Sequence, residues 1–223
     1  MTPSVGGKVY HFEWAGLDNG LSLLRDFETG TIWNHITGEA MFGPLEGERL
    51  ATYNLLHTTV GAVLGSHPDI EVALSDRPIR QQEHSLFERL PVLSRMLRST
   101  MARQDERRPQ TELGLGVWSD DAQRYYPLAV LRESDGLLVD EFAGRRIVVY
   151  LDPMSYMPAS WYTDAETALW DEESIRLSDG HVIRDGGVFD QDGERLDAER
   201  PQQLFTRWYG FALTFPATTI YEP

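Results

Sequence analysis

Apolar positions along this chain alternate more often than they recur every three or four residues, and the breaks between them are rich in glycine. Residues 9–14 (VYHFEW) carry the aromatic and β-branched side chains of a strand. Asp18-Asn19-Gly20 reads as a turn, and residues 21–26 (LSLLRD) as a second strand. Thr29-Gly30 turns the chain again ahead of a strand over residues 31–35. Gly38, Gly43-Pro44 and Gly47 punctuate short pieces, and the pattern then predicts a short helix over residues 58–66 and a closing strand over residues 70–74.

The period changes over residues 81–103, where Leu86, Leu90, Leu93 and Leu97 recur at helical spacing with Phe87 and Met96 beside them. Pro91 kinks or splits this helix. Residues 105–111 are linker-like. Strands return at residues 113–119 and 145–150, with a short helix or turn over residues 127–132 between them and another strand over residues 156–162. The turns Asp179-Gly180, Asp185-Gly186 and Asp192-Gly193 frame short strands at residues 181–184 and 188–189. Residues 201–211 read as an amphipathic helix opened by Pro201, whose missing N–H costs nothing at a first turn. Residues 218–221 close the chain as a strand.

The two β-rich sections share markers in the same order. Asp26, Glu28 and Thr29, then Gly47-Glu48-Arg49-Leu50, then Pro68 in the first correspond to Asp171, Glu173 and Ser174, then Gly193-Glu194-Arg195-Leu196, then Pro216 in the second. A diverged duplication explains this order. The first copy lacks the front half that residues 113–157 supply to the second. The expected fold is therefore α+β and mainly antiparallel β. It comprises an incomplete repeat over residues 1–76, an Arg-rich helical segment and linker over residues 77–112, and a more complete repeat over residues 113–223. The halves are expected to form one unit about a pseudo-twofold relation, because the shortened copy cannot close its own sheet edges.

Composition narrows the function classes. Hydrophobic residues make up 41% of the 223, too many for a disordered chain. There is no Cys, which removes disulfides, thiolate metal ligation and a Cys nucleophile. A net charge of −15 argues against nucleic-acid binding, which needs a basic face. No apolar run approaches the roughly 18 residues of a membrane span, and residues 1–10 lack a signal peptide's apolar region, so a soluble cytoplasmic protein is expected. Lys8 is the sole lysine, leaving no Schiff-base candidate away from the terminus. Residues 77–108 hold eight Arg against four acids, a positive stretch in an acidic chain. It pairs with the protein's own acidic body or docks an acidic protein partner. The incomplete first copy predicts a homodimer.

The stretch Asp26, Thr29-Gly30, Trp33, Gly38-Glu39-Ala40, Gly43-Pro44-Leu45 and Gly47 with Leu50 resembles the hallmark segment of family 3179 of the domains of unknown function. His67-Pro68-Asp69 is similar to the family's His-Pro-Asp. Tyr126-Pro127-Leu128, Val139-Asp140, Gly144 and residues 148–150 are similar to its Tyr-Pro-Leu, Asn-Asp and valine-rich run. Many members of that family place Cys-x-x-Cys after the valine-rich strand. Residues 151–155 (LDPMS) have none, so no thiol-based role carries over. The resemblance implies no established activity.

Two function classes remain. A non-catalytic binding or scaffold module would use a groove between the copies, with Asp26, Trp33 and Trp208 as candidate ligand-binding residues. A metal-dependent hydrolase or oxidoreductase would hold a divalent cation, Zn²⁺ or Fe²⁺, at His35, Glu39 and His57, since imidazole and carboxylate suit both. The first is preferred, because the spacing of these three matches no metal motif. Asp190, Asp192, Asp197 and Glu199 lack the order of a calcium loop. No Gly-x-Ser-x-Gly, phosphate loop or Gly-x-Gly-x-x-Gly is present.

Overall fold

A computed structural model describes residues 3–55, 57–66, 69–74, 76, 98–101 and 103–223. The Arg-rich helix expected over residues 81–103 falls almost wholly outside them, as do His67 and Pro68.

The chain opens with a small hairpin, β1 (Ser4–Val5) and β2 (Lys8–Val9). An antiparallel meander follows, β3 (Phe12–Asp18), β4 (Leu21–Asp26), β5 (Ile32–Asn34) and β6 (Ala40–Phe42). Helix α1 (Val60–Ser66) comes next. The second section contains β7 (Leu113–Trp118), β8 (Gln123–Pro127), α2 (Leu128–Glu133), β9 (Leu137–Phe142), β10 (Arg145–Leu151) and β11 (Pro158–Tyr162). The meander β12 (Ala168–Asp171), β13 (Ser174–Leu177), β14 (Val182–Arg184) and β15 (Gly187–Phe189) follows, and then β16 (Gln202–Arg207), α3 (Trp208–Thr214) and β17 (Thr219–Ile220). Pairing is antiparallel throughout, except that β17 lies parallel to β8. The expected antiparallel β-rich fold with few helices is what forms.

The second section stacks in layers, and side-chain alternation dictates the order. In the sheet β16-β7-β8-β17, Leu115, Val117 and Tyr126 point to one face and Tyr125 to the other, where α3 packs with Trp208 and Phe211. Gly114 and Gly116 leave room for that aromatic layer: a Cβ on Gly116 would collide with the Phe211 ring, and one on Gly114 would lie 2.5 Å from the Tyr126 carbonyl. The sheet β11-β10-β9 covers the other face. Ile147 and Val149 of β10 join Leu115 and Val117, while Val148 and Tyr150 turn to Ile175, Ile183 and Val188 of the third sheet. A strand covered on both faces has no polar side to show, which is why residues 147–151 of β10 (IVVYL) follow its two exposed arginines without a polar alternation.

Two expectations change. Residues 202–207 form a strand, not the start of a helix, because they pair along the whole of β7 from Gln202–Trp118 to Arg207–Leu113. The helix begins only at Trp208. Residues 70–74 are in no ladder, and Ile70, Val72 and Leu74 are exposed. The linker-like stretch is packed: Trp208 Nε1 donates to the Asp105 carbonyl at 3.0 Å, and Arg107 stacks over the Trp208 ring while donating to the Thr218 carbonyl at 2.8 Å.

Local geometry recurs between the sections. Gly47 and Gly193 both take positive φ, 89° and 83°, and each closes a turn that sets the following Arg in an isolated antiparallel bridge, Glu39 with Arg49 and Phe189 with Arg195. Leu50 N–H donates to the Gly38 carbonyl as Leu196 N–H donates to Val188. The Asp26 turn has its geometric counterpart at Asp152. Thr29 N–H and Ser155 N–H donate to these carboxylates at 2.5 and 2.9 Å, and the Thr29 and Ser155 hydroxyls do the same. Gly30 and Tyr156 both take positive φ, 74° and 58°. At Asp171 the arrangement differs: its carboxylate accepts from Arg176 at the surface, and the Ser174 hydroxyl donates to its carbonyl instead.

Candidate functional site

Asp26, Trp33 and Trp208 are fully buried. The Asp26 carboxylate accepts from Thr29 N–H, from the Thr29 hydroxyl and from Trp33 Nε1 at 2.8 Å. Burial alone would raise its pKa, but the bonds from Trp33 and Thr29 together hold it below the ordinary carboxylate value. Trp33 packs edge-on to Phe12 beside Ala40 and Leu50. Trp208 lies edge-on to Tyr125 at 5.1 Å. These side chains hold the N-terminal meander and α3 in place, and none lines the cleft described next. Tyr126 and Asp140, on the other stretch of family likeness, meet in the same structural way: the Tyr126 hydroxyl donates to Asp140 at 2.8 Å, and Arg124 pairs with the same carboxylate at 2.5 Å.

The cleft lies where the N-terminal section meets the edges of β11 and β16. It encloses about 170 Å³ and is bordered by His35, Thr52, Asn54, His57, Arg200 and Phe205, among others. Side-chain bonds between distant segments build it. Asn54 Nδ2 donates to the Pro201 carbonyl at 2.8 Å, and Asn54 Oδ1 accepts from Gln203 N–H at 3.1 Å. The Thr52 hydroxyl donates to Gln202 Oε1 at 3.2 Å. Gln203 reaches the other way, accepting from Ser160 N–H at 2.8 Å and donating to the Ser160 carbonyl at 3.1 Å. The His57 ring stands edge-on to Phe205. A segment without a β ladder of its own is thus clipped to the free edge of β16 by amides that imitate backbone partners.

Of the three metal candidates, His35 and His57 border this cleft, and Glu39 is exposed and faces the adjoining hollow beside Arg49 and Trp118. His35 Nδ1 donates to the Ser22 carbonyl at 2.6 Å, which leaves its Nε2 as an acceptor. Among the described residues no three His, Asp or Glu side chains are grouped as a metal ion would need. The structure brings the two imidazoles to one cavity without a carboxylate to complete a ligand set.

Sequence reasoning did not single out Asn54, Arg200, Gln202 or Gln203. No motif or spacing in the sequence marks them. The bonds across the cleft join residues 147, 149 and 150 apart.

A model of the family described as "Protein of unknown function (DUF3179)" matches residues 2–211, and the chain belongs to that family. No curated protein and no solved structure matches it. No helix among the described residues is long and apolar enough to cross a membrane.

Proposed function

We propose that this DUF3179 chain is a non-catalytic binding module whose ligand site is the cleft between residues 52–55 with His57 and the β11 and β16 edges. The observation that carries this reading is the cleft itself. It is enclosed on several sides, its apolar lining comes from Ile36, Leu204 and Phe205, and its polar groups converge from two sections of chain. Asn54 and Gln203 spend both ends of their amides on the protein, so they build walls and are not free to act on a substrate. His35 and His57 remain as adaptable polar contacts.

The duplication belongs to the same reading. It is supported by the paired glycine turns before Arg49 and Arg195 and by the matching backbone bonds of Leu50 and Leu196. The cleft's polar residues come from both sections, which gives it two unlike walls.

A thermal-shift and NMR screen of small organic molecules tests the site. His57 is exposed and no side-chain hydrogen bond among the described residues holds it, so His57→Trp narrows the cleft mouth at a stability cost within about 0.5 kcal/mol. Ligands that raise the Tm of the wild type are expected to leave His57→Trp unchanged. Equal shifts in both proteins, or no ligand at all, would refute the assignment.

A further inference from the structure

We infer that Arg200 is an anion-binding group and that the cleft takes a small organic acid whose carboxylate this guanidinium receives. The inference rests on the cleft being a ligand site, as proposed above.

Arg200 borders both the cleft and the adjoining hollow around Trp118. Its guanidinium carbon lies 3.7 Å over the Trp161 ring, itself buried in the core between the second and third sheets. A guanidinium offers five N–H donors. Among the described residues one hydrogen bond is made, from Nη2 to the Gly186 carbonyl at a long 3.3 Å, and Nε is buried with no partner. No described carboxylate lies within ion-pairing distance, in a chain with 35 acids. Other arginines are matched: Arg107 to Asp105, Arg108 to Glu112, Arg124 to Asp140 and Arg145 to Glu199. The last of these engages the acid next to Arg200 in sequence.

A second cation compounds the imbalance. Arg195 rests on the same turn, where a Cβ on Gly187 would lie 3.0 Å from its Nε, and it too has no carboxylate partner among the described residues. Desolvation lowers the Arg200 pKa, the Tyr150 ring hydroxyl offsets part of this, and Arg195 lowers it further. A desolvated cation beside a second cation is costly in the empty protein. The cost is recovered when an anion arrives, because the guanidinium is already seated over the indole and its N–H donors fit a carboxylate. The apolar lining and the small volume suit an acid with a short hydrocarbon or single-ring body.

Benzoate and its neutral counterpart benzamide are the probes, titrated at fixed ionic strength against wild type, Arg200→Gln, Arg200→Met and His57→Trp. Benzoate is expected to raise the wild-type Tm, and benzamide is expected to have no effect. Arg200→Gln should weaken benzoate about tenfold or more, as loss of a charge-assisted bond implies. Arg200→Met removes the unpaired charge at similar volume, so it should melt at or above the wild-type temperature and still fail to bind. That stability readout keeps the test valid if the Gln variant folds poorly. Equal binding of benzoate and benzamide, undiminished binding by either Arg200 variant, or no binding of benzoate to wild type would each overturn the inference. Benzoate binding lost in the Arg200 variants but kept in His57→Trp would support the anion group and sink the cleft as its site. Neutral ligands blocked by His57→Trp but indifferent to Arg200 would do the reverse.

Discussion

Single residues here carry roles that their chemistry alone does not reveal. Asp26 looks like a ligand-binding acid in the sequence, yet its carboxylate has no exposed surface and is consumed by Thr29 and Trp33. Its pKa is held below the ordinary value, so it stabilises the fold above the unfolded-state pKa and that contribution is lost as pH falls through the folded one. Asp26→Asn should therefore cost about 1–3 kcal/mol near neutral pH, and its Tm should fall less steeply than the wild type's on acidification below about pH 4. A melting series from pH 3 to pH 7 on both proteins checks this. Tyr156 carries a different burden. It takes φ 58° with an exposed side chain, where its counterpart Gly30 pays no steric penalty. Tyr156→Gly should stabilise the protein by up to about 1 kcal/mol, read from urea unfolding.

At the scale of elements, packing overrode local preference in two places. Gly114 and Gly116 weaken β7 as an isolated strand, yet they admit the aromatic face of α3. Gly116→Ala should cost about 1–3 kcal/mol in thermal unfolding by forcing Phe211 away. The strand at residues 21–26 was legible because Asp18-Asn19-Gly20 and Thr29-Gly30 bracket it with turn chemistry. The strand at residues 202–207 was not. Pro201 and the aromatic run after it imitate a helix start, and only pairing with β7, about 90 residues upstream, decides the matter. The reverse error at residues 70–74 has the same origin, since β-branched content marks a strand only where an edge is available. The cleft was least legible of all. Asn54, Gln202 and Gln203 are ordinary surface-type residues until their partners, far away in sequence, are known. Asn54→Ala removes two bonds between segments and should open residues 50–55 to hydrogen exchange before the sheets unfold.

Over the whole molecule, charge and connectivity act together. With a net charge of −15, the folded chain repels itself, and raising ionic strength from about 20 to 500 mM shortens the Debye length well below the protein's diameter. Tm should rise over that range in a non-binding salt, and a flat response would mean that local ion pairs already balance the surface. The family likeness is structural at this scale. Its matched positions in the first section form the Asp26 turn, the close approach of Gly38 to the Leu50 carbonyl, and the Gly47 turn, all of which shape the meander and not the cavity.

The long separation of the cleft's clips has a kinetic consequence. Bonds between residues 147 to 150 apart close large loops, so they form after the local meanders have settled. The cleft is then among the last features the chain assembles. A molecule that has folded its sheets but not yet joined its sections has no cleft. Ligand binding would report completed folding, and a bound ligand would slow the first step of unraveling by holding the two segments together.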